Sequence, residues 1–284
     1  MPTPFLISAA DALARKDPRF IETTWFMPGA GQSGRDAYAQ KHIAGAVFFD
    51  LDEVADRTST LPHMAPGSAT LSRWMAQAGL EPGRQLIVYA QNGNFSAARV
   101  WWTLRRFGLS PLILDGGMAA WEAAGGAVEA GAPKLNGKAH GPDLHLINDD
   151  AMRWNDVLHH IEAGDALIVD ARPPGRFAGT DPEPRAGLKS GHMPGAVNLP
   201  AGRLLDGEGR FVQDEALEAL LPTQDRRKRI ICTCGSGVTA ATLHAGFTAA
   251  GFKDVWLYDG SWTEWPGRAG RCAKKRCARC ARWH

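Results

Sequence analysis

Uninterrupted apolar runs recur along the chain: LIVYA at 86–90, LILD at 112–115, ALIVDA at 166–171, RIICT at 229–233 and VWLYD at 255–259. Runs of this length, rich in β-branched residues, predict short buried strands. Between them lie stretches with helical spacing, such as SAARVWWTLRRFG at 96–108 and VTAATLHAGFTAAG at 238–251, each closed by a glycine of the kind that ends helices. Strand and helix patterns in alternation predict an α/β fold with parallel sheets covered by helices on both faces. In such sheets ligands bind at the carboxyl ends of the strands, where strand hands over to helix.

The pattern occurs twice. KHIAGAVFFDLDEVA at 41–55 parallels GHMPGAVNLPAGRLL at 191–205, and LILDGGMAAWEAAG at 112–125 parallels VWLYDGSWTEWPG at 255–267. His42 answers His192 at an offset of 150, and Asp115 answers Asp259 at an offset of 144. Two copies of one domain differing by small loop insertions account for both offsets. GAPKLNGKAHGPD at 131–143, rich in Gly, Pro and Lys, reads as the linker. The expected division is therefore 1–133, 144–266 and a tail at 267–284.

A chain of 284 residues is long enough for two domains that each bury a core. No apolar run approaches the roughly 20 residues that span a bilayer, and the amino terminus lacks the basic start and cleavage site of a secretory signal. The expectation is a cytoplasmic protein with no membrane partner. The net charge of +2 conceals an asymmetry: the tail carries seven Lys and Arg and no acid, which leaves the rest at −5. Of the five cysteines, Cys232 and Cys234 lie in one strand-loop segment and Cys272, Cys277 and Cys280 in the tail, a distribution unlike any disulfide framework.

The segment ICTCGSGVTAATLHAGF at 231–247 reads as buried strand, short glycine-rich loop and helix, with Cys234 opening the loop. A thiol is a useful nucleophile only as thiolate, and helix N-termini and rings of backbone N–H groups favour that form. Gly235, Ser236 and Gly237 leave little bulk to prevent the backbone of the loop, through Val238 and Thr239, from curling around the sulfur as an anion-binding nest. Without the glycines, a space-filling cysteine at a strand end would be the simpler reading, and Cys232 is assigned that part. At an offset of 143, Gln91 of the first copy matches Cys234 and Ser96 matches Thr239, so only the second copy is expected to do chemistry.

With CGSGVTAA, GRFAGTDPEPRAGLKSGHMPGAVNLP and YDGSWTEW in the second copy, the chain resembles, from about residue 5 to about 265, the tandem rhodanese-type sulfurtransferases. Within them it is most like those that use 3-mercaptopyruvate. The resemblance implies two rhodanese-like domains, the first inactive, and a cysteine that carries sulfane sulfur as a persulfide. No cofactor or metal is implied. The sulfur would pass to a thiol such as thioredoxin, or to cyanide. Thiosulfate-using members carry basic side chains in the active loop, and this loop has none. In members with a Gly-Ser-Gly loop, the single carboxylate of 3-mercaptopyruvate is held by two arginines, which match Arg176 in GRFAGT and Arg185 in PEPR. Guanidinium groups suit that task because they offer paired parallel donors. Cleaving the C–S bond leaves an enolate that must gain a proton. The resemblance assigns that relay to Ser236, His63 and Asp52, the last two from the first copy, which implies a cleft walled by both domains. His42 and His192 read as structural, since the inactive copy also has one.

Departures are few before the tail. Ala44 stands where proline is usual, and Thr23 where aspartate is common. After Trp265 the likeness stops, and the basic tail is expected to lack order. Its Cys272, Cys277, Cys280 and His284 are possible zinc ligands whose spacing fits no common zinc motif, and its charge suits nonspecific rather than specific nucleic-acid binding. The alternatives are a thiosulfate:cyanide sulfurtransferase, a cysteine phosphatase, and a non-catalytic sulfur-carrying module. The phosphatase is disfavoured because Cys234–Ala241 contains no arginine to clamp a phosphate.

Overall fold

The computed structural model describes residues 5–133, 137 and 140–273, with side chains described as far as Arg268. Its strands are β1 Leu6–Ile7, β2 Arg19–Glu22, β3 His42–Ile43, β4 Val47–Phe48, β5 Leu86–Tyr89, β6 Leu112–Leu114, β7 Val128–Glu129, β8 Ala151–Met152, β9 Ala166–Asp170, β10 Val197–Asn198, β11 Arg229–Thr233 and β12 Val255–Tyr258. Five of them form a sheet in the order β1-β6-β5-β2-β4, and five more repeat that order as β8-β12-β11-β9-β10. All pairings in both sheets are parallel. The α/β reading and the duplication thus both hold. A small antiparallel pair, β3 with β7, is added in the first copy.

The apolar runs become the central strands. Every residue of β5 is buried, as are Ile230–Thr233 of β11. Helices Phe95–Arg105 and Ala240–Ala249 follow β5 and β11, and nearly all residues of both are buried. One core gathers Ile7, Phe20, Tyr38, Ile87, Tyr89 and Trp121; the other gathers Val157, Ile168, Met193, Ile231, Tyr258 and Trp262.

The chain divides into two compact units, and the division is not purely sequential. One unit gathers the residues up to Ser59, Ala65–Asp149 and Leu205–Gln213; the other gathers Thr60–Met64, Asp150–Leu204 and the residues from Asp214 on. His63 therefore belongs to the unit that contains Cys234. The tail departs from expectation in its first residues, since a helix spans Ser261–Ala273 and runs past position 266. Arg268 pairs with Glu264 one turn earlier at 3.3 Å, a spacing that supports helix. Residues 274–284 and the side chains of Cys272, Cys277, Cys280 and His284 lie outside what is described. No helix among the described residues is long and apolar enough to cross a membrane.

The two repeated histidines are structural, as expected. His42 Nδ1 bonds the Tyr38 carbonyl at 2.7 Å and its ring stacks on Tyr38, while His192 Nδ1 bonds the Phe177 carbonyl at 2.9 Å and stacks on Phe177.

Candidate active site

Cys234 is the first residue after β11. Its N–H donates to Ser261 Oγ at 3.1 Å, and that hydroxyl donates to the Tyr258 carbonyl at 2.8 Å. The next two carbonyls are drawn toward the start of the helix Ser261–Ala273: Trp262 N–H donates to Cys234 O at 3.0 Å and Thr263 N–H to Gly235 O at 2.9 Å. In a trans peptide the N–H points opposite to its carbonyl. The Gly235 and Ser236 N–H groups therefore face away from that helix. Gly237, at φ +80°, takes a left-handed conformation open at little cost only to glycine. Val238 is buried, and Thr239 stands at the N-cap of the helix Ala240–Ala249. Two short bonds, Ala241 N–H to Val238 O and Thr242 N–H to Thr239 O, both at 3.2 Å, tighten its entry. The backbone thus turns at Gly237 between β11 and the helix Ala240–Ala249.

Cys234 itself is only 2% exposed. A sulfur so placed is shielded from bulk water. Cys232 is fully buried, and burial first, then the nearby Asp150 carboxyl and Cys234, push its thiol well above the usual range, in keeping with a packing role. Ser236 is buried beside Cys234 in the loop.

Arg176 lies against this loop. A methyl group in place of the Gly235 hydrogen would come within 2.9 Å of Arg176 Nη2, so the absence of a side chain at Gly235 is what admits the guanidinium. Arg176 Nη2 donates to Glu183 Oε2 at 2.6 Å, whereas its buried Nε has no hydrogen-bond partner among the described residues. An unsatisfied buried donor costs about 1–3 kcal/mol, so this nitrogen is suited to an acceptor such as a carboxylate oxygen. Arg185 lies elsewhere in the same unit, where its Nη2 donates to His63 Nε2 at 2.9 Å. A guanidinium has no lone pair, so His63 Nε2 must be the acceptor and the proton of the neutral ring sits on Nδ1. His63 is 6% exposed and held at φ +60°, a strained conformation for a non-glycine residue.

Asp52 belongs to the other unit. There its carboxylate accepts from the Trp25 indole at 3.2 Å, and it lines a cavity of about 330 Å³ with Trp25, Arg35, Phe48 and Asp50. The structure thus brings together Cys234 and Arg176, through Gly235, and Arg185 with His63.

One residue match between the copies, and the place given to Thr23 in the family pattern, need correction. Met118 N–H donates to Ala90 O at 3.1 Å as Trp262 N–H does to Cys234 O, and Met118 precedes Trp262 by the offset of 144 seen for Asp115 and Asp259. Ala90, not Gln91, therefore occupies the cysteine's place, because the alignment slips by one residue where the loop lengths differ. Likewise Phe49 N–H donates to Glu22 O at 2.8 Å as Leu199 N–H does to Asp170 O at 3.0 Å. Glu22, not Thr23, matches Asp170, so the first copy keeps an acid there. The expectation that only the second copy does chemistry is unaffected by the shift, since Ala90 carries no nucleophile either.

The sequence reading overlooked Arg172 and Glu183. Arg172 Nε and Nη2 donate to both oxygens of Asp170 at 2.7–3.1 Å, and its Nη1 donates to Glu183 at 2.7 Å. The available signal was Asp-Ala-Arg at a strand end, with an acid two residues before Arg185.

Parallel five-stranded sheets in duplicate, with a cysteine loop at one strand end, define a class. A family model described as a rhodanese-like domain matches residues 32–124 and 154–267, and the chain belongs to that family. It is 40% identical over 269 residues to 3-mercaptopyruvate sulfurtransferase of Escherichia coli K12, covering 92% of this chain and 94% of that one. To the mouse 3-mercaptopyruvate sulfurtransferase it is 36% identical over 260 residues, covering 88% and 86%. Among solved structures it resembles SseA from Escherichia coli, described as a 3-mercaptopyruvate sulfotransferase, with a TM-score of 0.80, 35% identity and coverage of 92% and 100%.

Proposed function

We propose that the protein is a 3-mercaptopyruvate sulfurtransferase working through a Cys234 persulfide. The observation that carries this is the Arg176 guanidinium seated against Gly235 of the cysteine loop, which supports reading it as the receptor for the carboxylate of the sulfur donor. Arg185 supplies the second guanidinium. The Cys234 thiolate attacks the sulfur of the donor, an S–S bond forms, and the C–S bond breaks with its electron pair passing to carbon as the enolate of pyruvate. The proton of the donor thiol ends on that carbon through Ser236 and His63, whose Nε2 holds a lone pair for it once Arg185 turns to the substrate. The amides of Gly235, Ser236, Gly237, Val238 and Thr239 stabilise the sulfur anion. The outer sulfur then passes to a thiol such as thioredoxin, in keeping with the reducing cytoplasm expected from the sequence. For Asp52 the support is the resemblance alone, and no step is assigned to it.

The test compares pyruvate release from 3-mercaptopyruvate with thiocyanate formation from thiosulfate and cyanide. It is joined to mass spectrometry of the Cys234 peptide after exposure to the donor. The expected results are faster turnover of 3-mercaptopyruvate and one added sulfur, both abolished in Cys234→Ser. Faster turnover of thiosulfate makes the protein a thiosulfate:cyanide sulfurtransferase and overturns the assignment.

A further inference from the structure

Glu183 stands between two guanidinium groups with its side chain 1% exposed. Its Oε1 accepts from Arg172 Nη1 at 2.7 Å and its Oε2 from Arg176 Nη2 at 2.6 Å. Arg172 is otherwise held from all sides: by both oxygens of Asp170, by the Gly191 carbonyl at 2.8 Å, and by the Trp262 ring 4.6 Å away. Arg176 is held less firmly. Among the described residues, Glu183 is the acid with which it pairs.

We propose that Glu183 is a positioning residue for donor recognition, clamping Arg176 against Gly235 so that its unused donor edge faces the carboxylate of the sulfur donor. This rests on the reading of Arg176 as that carboxylate's partner. The ladder Asp170–Arg172–Glu183–Arg176 is not demanded by the fold. In the first copy Thr24 occupies the place of Arg172, since its N–H donates to Glu22 as that of Arg172 does to Asp170. The copy with Ala90 in the cysteine's place thus lacks the charged ladder, and the copy with the cysteine has it.

Neutralising Glu183 has two opposed effects. Loss of a negative charge raises the positive potential around the donor and favours a carboxylate. Loss of the clamp frees a guanidinium, and an amide offers only one oxygen to two of them. Arg172, tied at several points, keeps that oxygen, so Arg176 moves. Orientation outweighs potential here because paired hydrogen bonds to a carboxylate require a fixed donor edge.

The test is Glu183→Gln in the full chain. Its KM for 3-mercaptopyruvate should rise about 10- to 100-fold with kcat within about threefold of wild type, the signature of lost binding rather than lost chemistry. In an Arg176→Gln background the same change should alter KM less than about threefold, since the clamp then has nothing to hold. An unchanged or lowered KM, or full additivity with Arg176→Gln, overturns the proposal. Should Glu183→Gln fail to fold by circular dichroism, Glu183→Asp keeps the charge and shortens the reach; it should raise KM in the same direction, and an unaltered KM overturns the proposal. A wild-type protein that releases no pyruvate overturns the functional reading and this inference with it. An active wild type with Glu183→Gln indistinguishable from it overturns the inference alone.

Discussion

Glu22 closes β2 with its carboxyl fully buried. Its Oε1 accepts from the Thr24 N–H at 3.1 Å and from the Thr24 hydroxyl, while Oε2 has no hydrogen-bond partner among the described residues. Its counterpart Asp170 has Arg172 as a cation; Glu22 has Thr24. Burial therefore dominates and raises Glu22 from 4.5 to about 7, against the lowering effect of its hydrogen bonds. A carboxyl that binds its proton more tightly in the fold than in the unfolded chain supports the fold at low pH. That support is complete below 4.5 and is withdrawn as pH rises through about 7. At about 1.4 kcal/mol for each pH unit, the interval is worth about 3 kcal/mol. Glu22→Gln keeps the shape and removes the titration. Urea unfolding of both proteins, followed by tryptophan fluorescence across this range, isolates the effect because every other titrating group cancels in the difference. The variant should gain on wild type by about 3 kcal/mol from the acid to the neutral end of the range and stay level beyond it. A difference that does not change with pH, or that grows toward acid, refutes the reasoning.

Three further outcomes are expected. Gly235→Ala places a methyl 2.9 Å from Arg176 Nη2, so the guanidinium must retreat by about half an ångström to reach van der Waals contact; steady-state kinetics should show KM for 3-mercaptopyruvate raised about tenfold, with little change in thermal midpoint. Arg172→Met leaves Asp170 and Glu183 as buried carboxylates without their shared cation, which should cost about 3–5 kcal/mol, seen as a large fall in thermal midpoint. Arg185→Gln removes the donor to His63 Nε2, and ¹⁵N NMR of the neutral ring should show the Nδ1–H tautomer of wild type giving way to a mixture; an unaltered tautomer contradicts the pairing.

Much of the fold was legible because buried parallel strands are written as uninterrupted apolar runs, and because the chain repeats itself. The β5 and β11 runs, with their following helices, stand where the pattern put them. Cys234 was legible for a similar reason: glycines on a strand-to-helix loop have few purposes other than letting the backbone close on something. The one-residue slip that exchanged Ala90 for Gln91 was not, since strings align residues while hydrogen bonds align carbonyls, and only the latter reveal which loop is longer. Glu183 was hidden for a different reason. An acid between two prolines in PEPR reads as a solvated loop residue until folding brings Arg172 and Arg176 to either side of it. The burial of Cys234 was equally beyond local pattern, because exposure belongs to everything that surrounds a residue.

Trp262 joins two assemblies. Its backbone N–H holds the Cys234 carbonyl, and its ring lies over the guanidinium of Arg172 while the indole N–H donates to Lys189 O at 2.8 Å. The Cys234 loop and the Arg172 ladder thus hang from one indole residue. A substitution at this position cannot adjust the strand-end loop and the arginine ladder as separate dials, so any repacking of this tryptophan must rebuild both together.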